Sequence, residues 1–165
     1  IHGCLVGSEM CIRDRLHTND APSTITRLQN MGTPDYLISA ACQLVVAQRL
    51  ARKNCKKCKI PDDDVNPKVL QDLGFSAEQA SRVKAIKGKG CETCSNTGYK
   101  GRQGIYEILV VSKPLKEAIL RKATTPELRQ IAVKEGFQTM QDMGKRLIAS
   151  GDLNFREYER VLSNE

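Results

Sequence analysis

The sequence predicts a mixed α/β fold in which a cysteine-rich insert lies between two strands and the final third is helical. Three observations lead there. "QLVVAQRLA" (residues 43–51) and "RQGIYEILVV" (residues 102–111) are rich in β-branched residues and alternate in side-chain character, as half-buried strands do. Two Cys-x-x-Cys turns, Cys55/Cys58 and Cys91/Cys94, fall between them. Beyond residue 111 the apolar residues recur at helical spacing, and the breaks carry capping boxes and glycines.

The elements follow in order. Residues 1–15, "IHGCLVGSEMCIRDR", have neither helical nor strand periodicity. The chain starts at Ile1, and this stretch lacks the basic start and unbroken apolar segment of a signal peptide, so a fragment is the expectation. Helix signals begin after His17. Asn19 or Asp20 can cap, Pro22 suits the first turn, Gly32 suits the stop, and Ile25, Leu28 and Met31 form the apolar side. "TPDYLISAA" predicts a second short helix opened by Thr33, Pro34 and Asp35, and the first strand comes next.

Residues 53–101 form the insert, with helical pieces over 67–73 and 77–84 separated by Gly74 and a Ser76/Gln79 capping box on the second. "KGKGCETCSNTGYKG" is rich in turn residues, and residues 101–104 suit a hairpin corner leading into the second strand. There Ile105 and Glu107 face opposite to Tyr106 and Ile108. Helices are then expected over 112–122, from the Thr124/Glu127 capping box to Gly136, over 138–150 and over 154–162, with Gly151 between the last two.

Composition bounds the function. Hydrophobic residues make up 40%, but there is no Trp and only three Phe, so the core is built from Leu, Ile, Val and Ala. No apolar run approaches the roughly 20 residues that span a bilayer. The formal charge is +7, and "RKNCKKCK" (residues 52–59) concentrates five cations in eight residues. Such a patch suits phosphate, yet cations beside thiolates also offset their charge. Four thiolates with one Zn²⁺ change the sum by −2, leaving about +5, too modest an excess to establish nucleic-acid binding.

The cysteines number seven: Cys4, Cys11, Cys42, Cys55, Cys58, Cys91 and Cys94. An odd count with two Cys-x-x-Cys pairs fits metal binding in a reducing compartment better than a disulfide framework. Each turn points two sulfurs at one centre, and Cys55, Cys58, Cys91 and Cys94 together supply the closed Cys₄ set that Zn²⁺ favours in structural sites. Four protein ligands leave no open position for a catalytic water. A redox Cys-x-x-Cys would need a thioredoxin-like context, which the surrounding pattern lacks, and Cys42 reads as a small core residue.

"LHTNDAPSTITRL" (residues 16–28) places a lone histidine, His17, at a helix entrance. From its chemistry alone, His17 reads most simply as part of the helix cap. Together with "LVVAQRLARKNCKKC" and "CETCSNTGYKGRQGIYEIL" in the same order, however, the stretch resembles the bacterial secretion-motor ATPases, the type II secretion and type IV pilus assembly ATPase family. The resemblance runs from Leu16 to about Leu109 in clear motifs and more loosely to the C-terminus. It implies a cytoplasmic ATP-hydrolysing homo-hexamer, peripheral at the bacterial inner membrane, that works on pilin-like subunits through a polytopic platform protein. It also implies the C-terminal portion of a RecA-like P-loop ATPase core. His17, Thr18 and Asn19 match the family's His box, where the histidine approaches the nucleotide γ-phosphate. Arg27 and Arg49 are plausible supports by charge, and the insert resembles the family's tetracysteine zinc subdomain.

The implied organisation is a non-native or divergent junction over 1–15 and the end of the ATPase core over 16–52. The zinc insert over 53–101, a returning strand over 102–111 and a C-terminal helical bundle over 112–165 complete it. No G-x-x-x-x-G-K-[ST] occurs, and no apolar strand ends in paired carboxylates for Mg²⁺, so the 165 residues are expected not to hydrolyse ATP by themselves. The competing reading is a standalone zinc-ribbon module that binds nucleic acid or a protein through "RKNCKKCK" and "YKGR"; few aromatics interleave there to stack on bases. A structural adaptor stapled by zinc is the third reading. Tyr99, Lys100 and Arg102 could also meet acidic phospholipid.

Overall fold

A computed structural model of the chain describes residue 18 and residues 20–162. His17, Asn19 and the expected junction over 1–15 lie outside the described residues. The frame is an antiparallel ribbon of two long strands, β1 (Leu44–Asn54) and β4 (Tyr99–Val110), paired from Leu44↔Val110 to Arg52↔Arg102. Alternation sets its two faces. Val45, Ala47 and Ala51 turn inward with Ile105, Glu107 and Leu109, and all six are buried. Leu44, Val46, Leu50, Tyr106, Ile108 and Val110 point the other way and remain 43–61% exposed.

The second strand departs from expectation in one respect. The hairpin corner expected at residues 101–104 is instead part of β4, which runs straight through both glycines. Past Arg52↔Arg102 the next pair is Asn54↔Tyr99, so Lys100 and Gly101 stand opposite the single Lys53. That is a bulge, and Gly101 takes φ +82° there, a conformation open to glycine without strain. Gly104 has a different reason: the Tyr106 ring lies across it, and a Cβ would collide with that ring.

Among the described residues, eight helices and two short strands are built on this ribbon, most of the helices opened by a side-chain cap. α1 (Ala21–Asn30) is capped by Asp20, whose Oδ1 accepts from Ser23 N at 2.7 Å, and α2 (Asp35–Ala41) follows Pro34. Within the insert, β2 (Lys59–Pro61) pairs antiparallel with β3 (Ile86–Gly88). Between these strands lie α3 (Pro67–Asp72), capped by Asn66, and α4 (Ala77–Arg82), opened by the Ser76/Gln79 capping box. A single 3₁₀ turn, Glu92–Cys94, leads into β4.

The C-terminal third holds α5 (Lys113–Leu120), α6 (Thr125–Lys134), α7 (Met140–Ala149) and α8 (Phe155–Leu162). α5 packs on α2 and α6 on α1, while α7 lies on β4 and α8 on β1. Their apolar faces therefore meet the inner side of the ribbon together with α1. Leu115, Ile119, Leu128, Ile148 and Leu153 are fully enclosed there with Ile25 and Ile105. Leu70, Phe75 and Ala80 of the insert join the same apolar cluster. Among the described residues no helix is long and apolar enough to cross a membrane.

Candidate functional site

The ends of β1 and β4 bring the two Cys-x-x-Cys turns together. Cys55 follows the last residue of β1, and its amide donates to Gly98 O just before β4. Cys91 and Cys94 flank the 3₁₀ turn. The four sulfurs all lie within 4.8 Å of one another, with Cys55···Cys91 and Cys58···Cys94 at 3.9 Å and Cys91···Cys94 at 3.7 Å. A tetrahedron of roughly 2.3 Å metal–sulfur bonds has edges of about 3.8 Å, so the sulfurs already stand at the spacing of a Cys₄ metal site.

The backbone also treats these sulfurs as acceptors. Gly90 N donates to Cys58 Sγ at 3.3 Å and Cys91 N to Cys94 Sγ at 3.2 Å, the outer-sphere bonds that orient thiolate ligands. Burial alone would raise the Cys94 thiol, but the donors around it outweigh burial and bring it down to about 6. Burial pushes Cys58 up to about 11. The four-sulfur donor set, with backbone amides aimed at two of the sulfurs, fits a soft divalent ion such as zinc.

The foot of the insert is clamped to the α7–α8 corner. Asn54, 1% exposed, donates through Nδ2 to Ile86 O (2.9 Å) and Gly151 O (3.1 Å), and its amide reaches Asp152 O. The Asp152 carboxylate meets Lys59 at 3.2 Å and Lys53 at 3.5 Å. One step along, the fully buried Glu157 accepts from Arg52 N (2.7 Å), from the Arg52 guanidinium (2.7 and 2.9 Å) and from Arg160 (2.5 and 2.9 Å). Burial raises this carboxyl, yet Arg160 and Arg52 outweigh it and hold it at about 2. The Arg52 guanidinium also covers the Tyr99 ring at 4.1 Å, and the Tyr99 hydroxyl accepts from Asn154 at 2.8 Å.

At the other end of the ribbon lies the entrance of α1. The Thr18 hydroxyl bonds the Thr24 hydroxyl at 2.7 Å, and the second carboxylate oxygen of Asp20 is paired with Arg129 of α6. Ala21 N donates to Glu107 Oε1 at 2.8 Å and Met140 N, at the start of α7, to Glu107 Oε2 at 3.1 Å. Of the residues expected at a nucleotide, Thr18 sits at this entrance, and its neighbours His17 and Asn19 fall outside the described residues. Arg49 turns inward from β1, and its guanidinium donates to Val161 O in the last turn of α8 at 2.5 Å. Arg27 is exposed on α1. Cys42 is half-buried where α2 gives way to β1, and burial raises its thiol.

Asn54, Glu107, Arg129 and Glu157 escaped the sequence reading. The carboxylate in "GIYEIL" did carry a signal, because it shares the alternation of Ile105 and Leu109 and is thus placed inside.

Comparison with known proteins places these features in one family. A family described as "Type II/IV secretion system protein" matches residues 10–160. The type IV pilus assembly ATPase PilB of Myxococcus xanthus is 37% identical over 142 residues, 86% of this chain and 25% of that protein. PilB of Thermus thermophilus is 42% identical over 129 residues, 78% of this chain and 14% of that protein. The type II secretion system protein HxcR of Pseudomonas aeruginosa is 34% identical over 146 residues, 88% and 27% respectively. The chain thus spans between 14% and 27% of the length of these relatives.

Proposed function

The chain belongs to the type II/IV secretion system protein family, and from that membership we propose that it supplies the C-terminal part of an ATP-hydrolysing motor for type II secretion or type IV pilus assembly. The observation that carries this reading is the family match across 10–160, which encloses both the His17 stretch and the cysteine cluster. In this reading the motor is a homo-hexamer with a RecA-like core. It works at the cytoplasmic face of the inner membrane on a platform protein, with ATP and Mg²⁺ held largely by residues outside this chain.

His17, Thr18 and Asn19 contribute to the nucleotide site, with Arg49 as a more remote support. An imidazole can donate to a phosphate oxygen, lose that partner on hydrolysis and pass the change to the helix it adjoins. Zinc at Cys55, Cys58, Cys91 and Cys94 is structural: it closes the base of the insert and performs no chemistry on a substrate.

Two experiments test the reading. DNA sequence upstream of the codon for Ile1 should contain an in-frame P-loop and an acidic Mg²⁺-binding strand; a stop codon there would overturn it. The 165 residues alone should show no ATP turnover, whereas the longer product should hydrolyse ATP and lose that activity on His17→Ala. Turnover by the short chain, or full activity of the substituted long one, would contradict the assignment.

A further inference from the structure

Glu107 is an ionisable side chain at an inward strand position, 2% exposed, between Ile105 at 0% and Leu109 at 1%. An apolar residue would fill that place without the cost of taking a carboxylate out of water. What the carboxylate does there is specific. Ala21 and Met140 are each the first residue of a ten-residue helix, α1 and α7, and an amide at that position has no acceptor inside its own helix. The side-chain caps serve other amides: Asp20 takes Ser23 N, and Thr139 takes Asp142 N. Glu107 takes the amides of Ala21 and Met140, one on each oxygen.

We propose that Glu107 is a positioning residue that couples the entrance of α1, where Thr18 and Asp20 sit, to the entrance of α7. The two oxygens of one carboxylate are about 2 Å apart and rigidly joined, so bonds of this kind fix the two helix starts relative to each other. The positive ends of both helices also favour the charge. Among the described residues, the other charged groups around this junction are Asp20 at the cap of α1, Arg129 reaching it from α6, and Asp142 in the first turn of α7 with Lys145 beside it. A movement of α7, which also carries the α7–α8 corner clamped to the insert, is thereby felt where α1 begins. The inference rests on the proposed role of His17 only for its bearing on activity. The coupling itself is read without nucleotide.

The test is amide NMR on the whole 165-residue chain. Burial raises the Glu107 carboxyl, so the Ala21 and Met140 amide protons should titrate together, with a shared midpoint above the ordinary glutamate range. Thr139→Ala, which loosens only the start of α7, should speed hydrogen exchange at Ala21 as well as at Met140 by about tenfold. In Glu107→Gln the effect of Thr139→Ala on Ala21 should vanish. Separate titration of the two amides, or a Thr139→Ala effect on Ala21 that is absent in the parent chain or equal in both backgrounds, would overturn the proposal. If Glu107→Gln does not fold, the titration and Thr139→Ala in the parent chain still decide it. Full activity of the His17→Ala motor would remove the nucleotide reading and leave this result standing.

Discussion

Replacing Glu157 with Gln keeps the shape of the side chain and removes its charge. Five hydrogen bonds from Arg52 and Arg160 converge on the carboxylate, and its side chain is fully enclosed. A fall in its pKa from the ordinary 4.5 to about 2 corresponds to about 3 kcal/mol, at 1.36 kcal/mol per pH unit. The two guanidiniums are 51% and 54% exposed and can rehydrate when the partner is lost, which places the expected cost toward the lower end of the range for a broken buried pair. The sign follows from the direction of the shift. A carboxyl depressed in the folded state contributes its stability fully above the unfolded value near 4.5, and loses it as pH falls toward 2.

Urea melts of the parent and of Glu157→Gln, taken side by side from pH 2 to 7, isolate this contribution. Any metal release and the other carboxylates titrate in both proteins and largely cancel in the difference. The parent should exceed the variant by about 2–3 kcal/mol above pH 5, and the gap should close as pH falls below 4 toward 2. A gap of constant size across the range would show that Glu157 acts through shape alone and would refute the electrostatic account.

The metal centre predicts one zinc per chain by native mass spectrometry; Cys55→Ser or Cys94→Ser should abolish binding, and a chelator should lower the melting temperature of the parent only. Retained one-to-one zinc in both variants would dismiss the Cys₄ assignment. Asn54→Ala should cost about 2 kcal/mol in denaturant melts, because Ile86 O and Gly151 O lose their donor. The cost is moderated because the amide oxygen removed with it is buried without a partner among the described residues. No loss of stability would mean that the foot of the insert is held elsewhere.

What was legible in the sequence was what is local. Ser76 with Gln79 and Thr124 with Glu127 are three residues apart and settle their helices between themselves. Cys55, Cys58, Cys91 and Cys94 were legible because metal chemistry demands a spacing that chance seldom supplies twice. Glycine spoke ambiguously: it serves a bulge as well as a corner, and only the partner strand opposite Gly101 distinguishes them. Glu107 and Glu157 were opaque for another reason. The partners of Glu107 stand 86 and 33 residues away; Glu157 has Arg160 three residues on, but its other partner, Arg52, stands 105 residues away, and no local pattern announces a bond of that span.

The chain leaves the ribbon after β1 and re-enters it at β4, with Arg52 directly opposite Arg102. The whole cysteine-bearing excursion is thus a parenthesis in the strand order. Its two ends lie side by side at Arg52↔Arg102, so the register from Leu44↔Val110 to Arg52↔Arg102 does not itself depend on the length of what lies between them. The strand pairing thus leaves the excursion room to differ in length and surface while Val45 stays opposite Leu109, whereas Leu70, Phe75 and Ala80 tie its helices to the shared core.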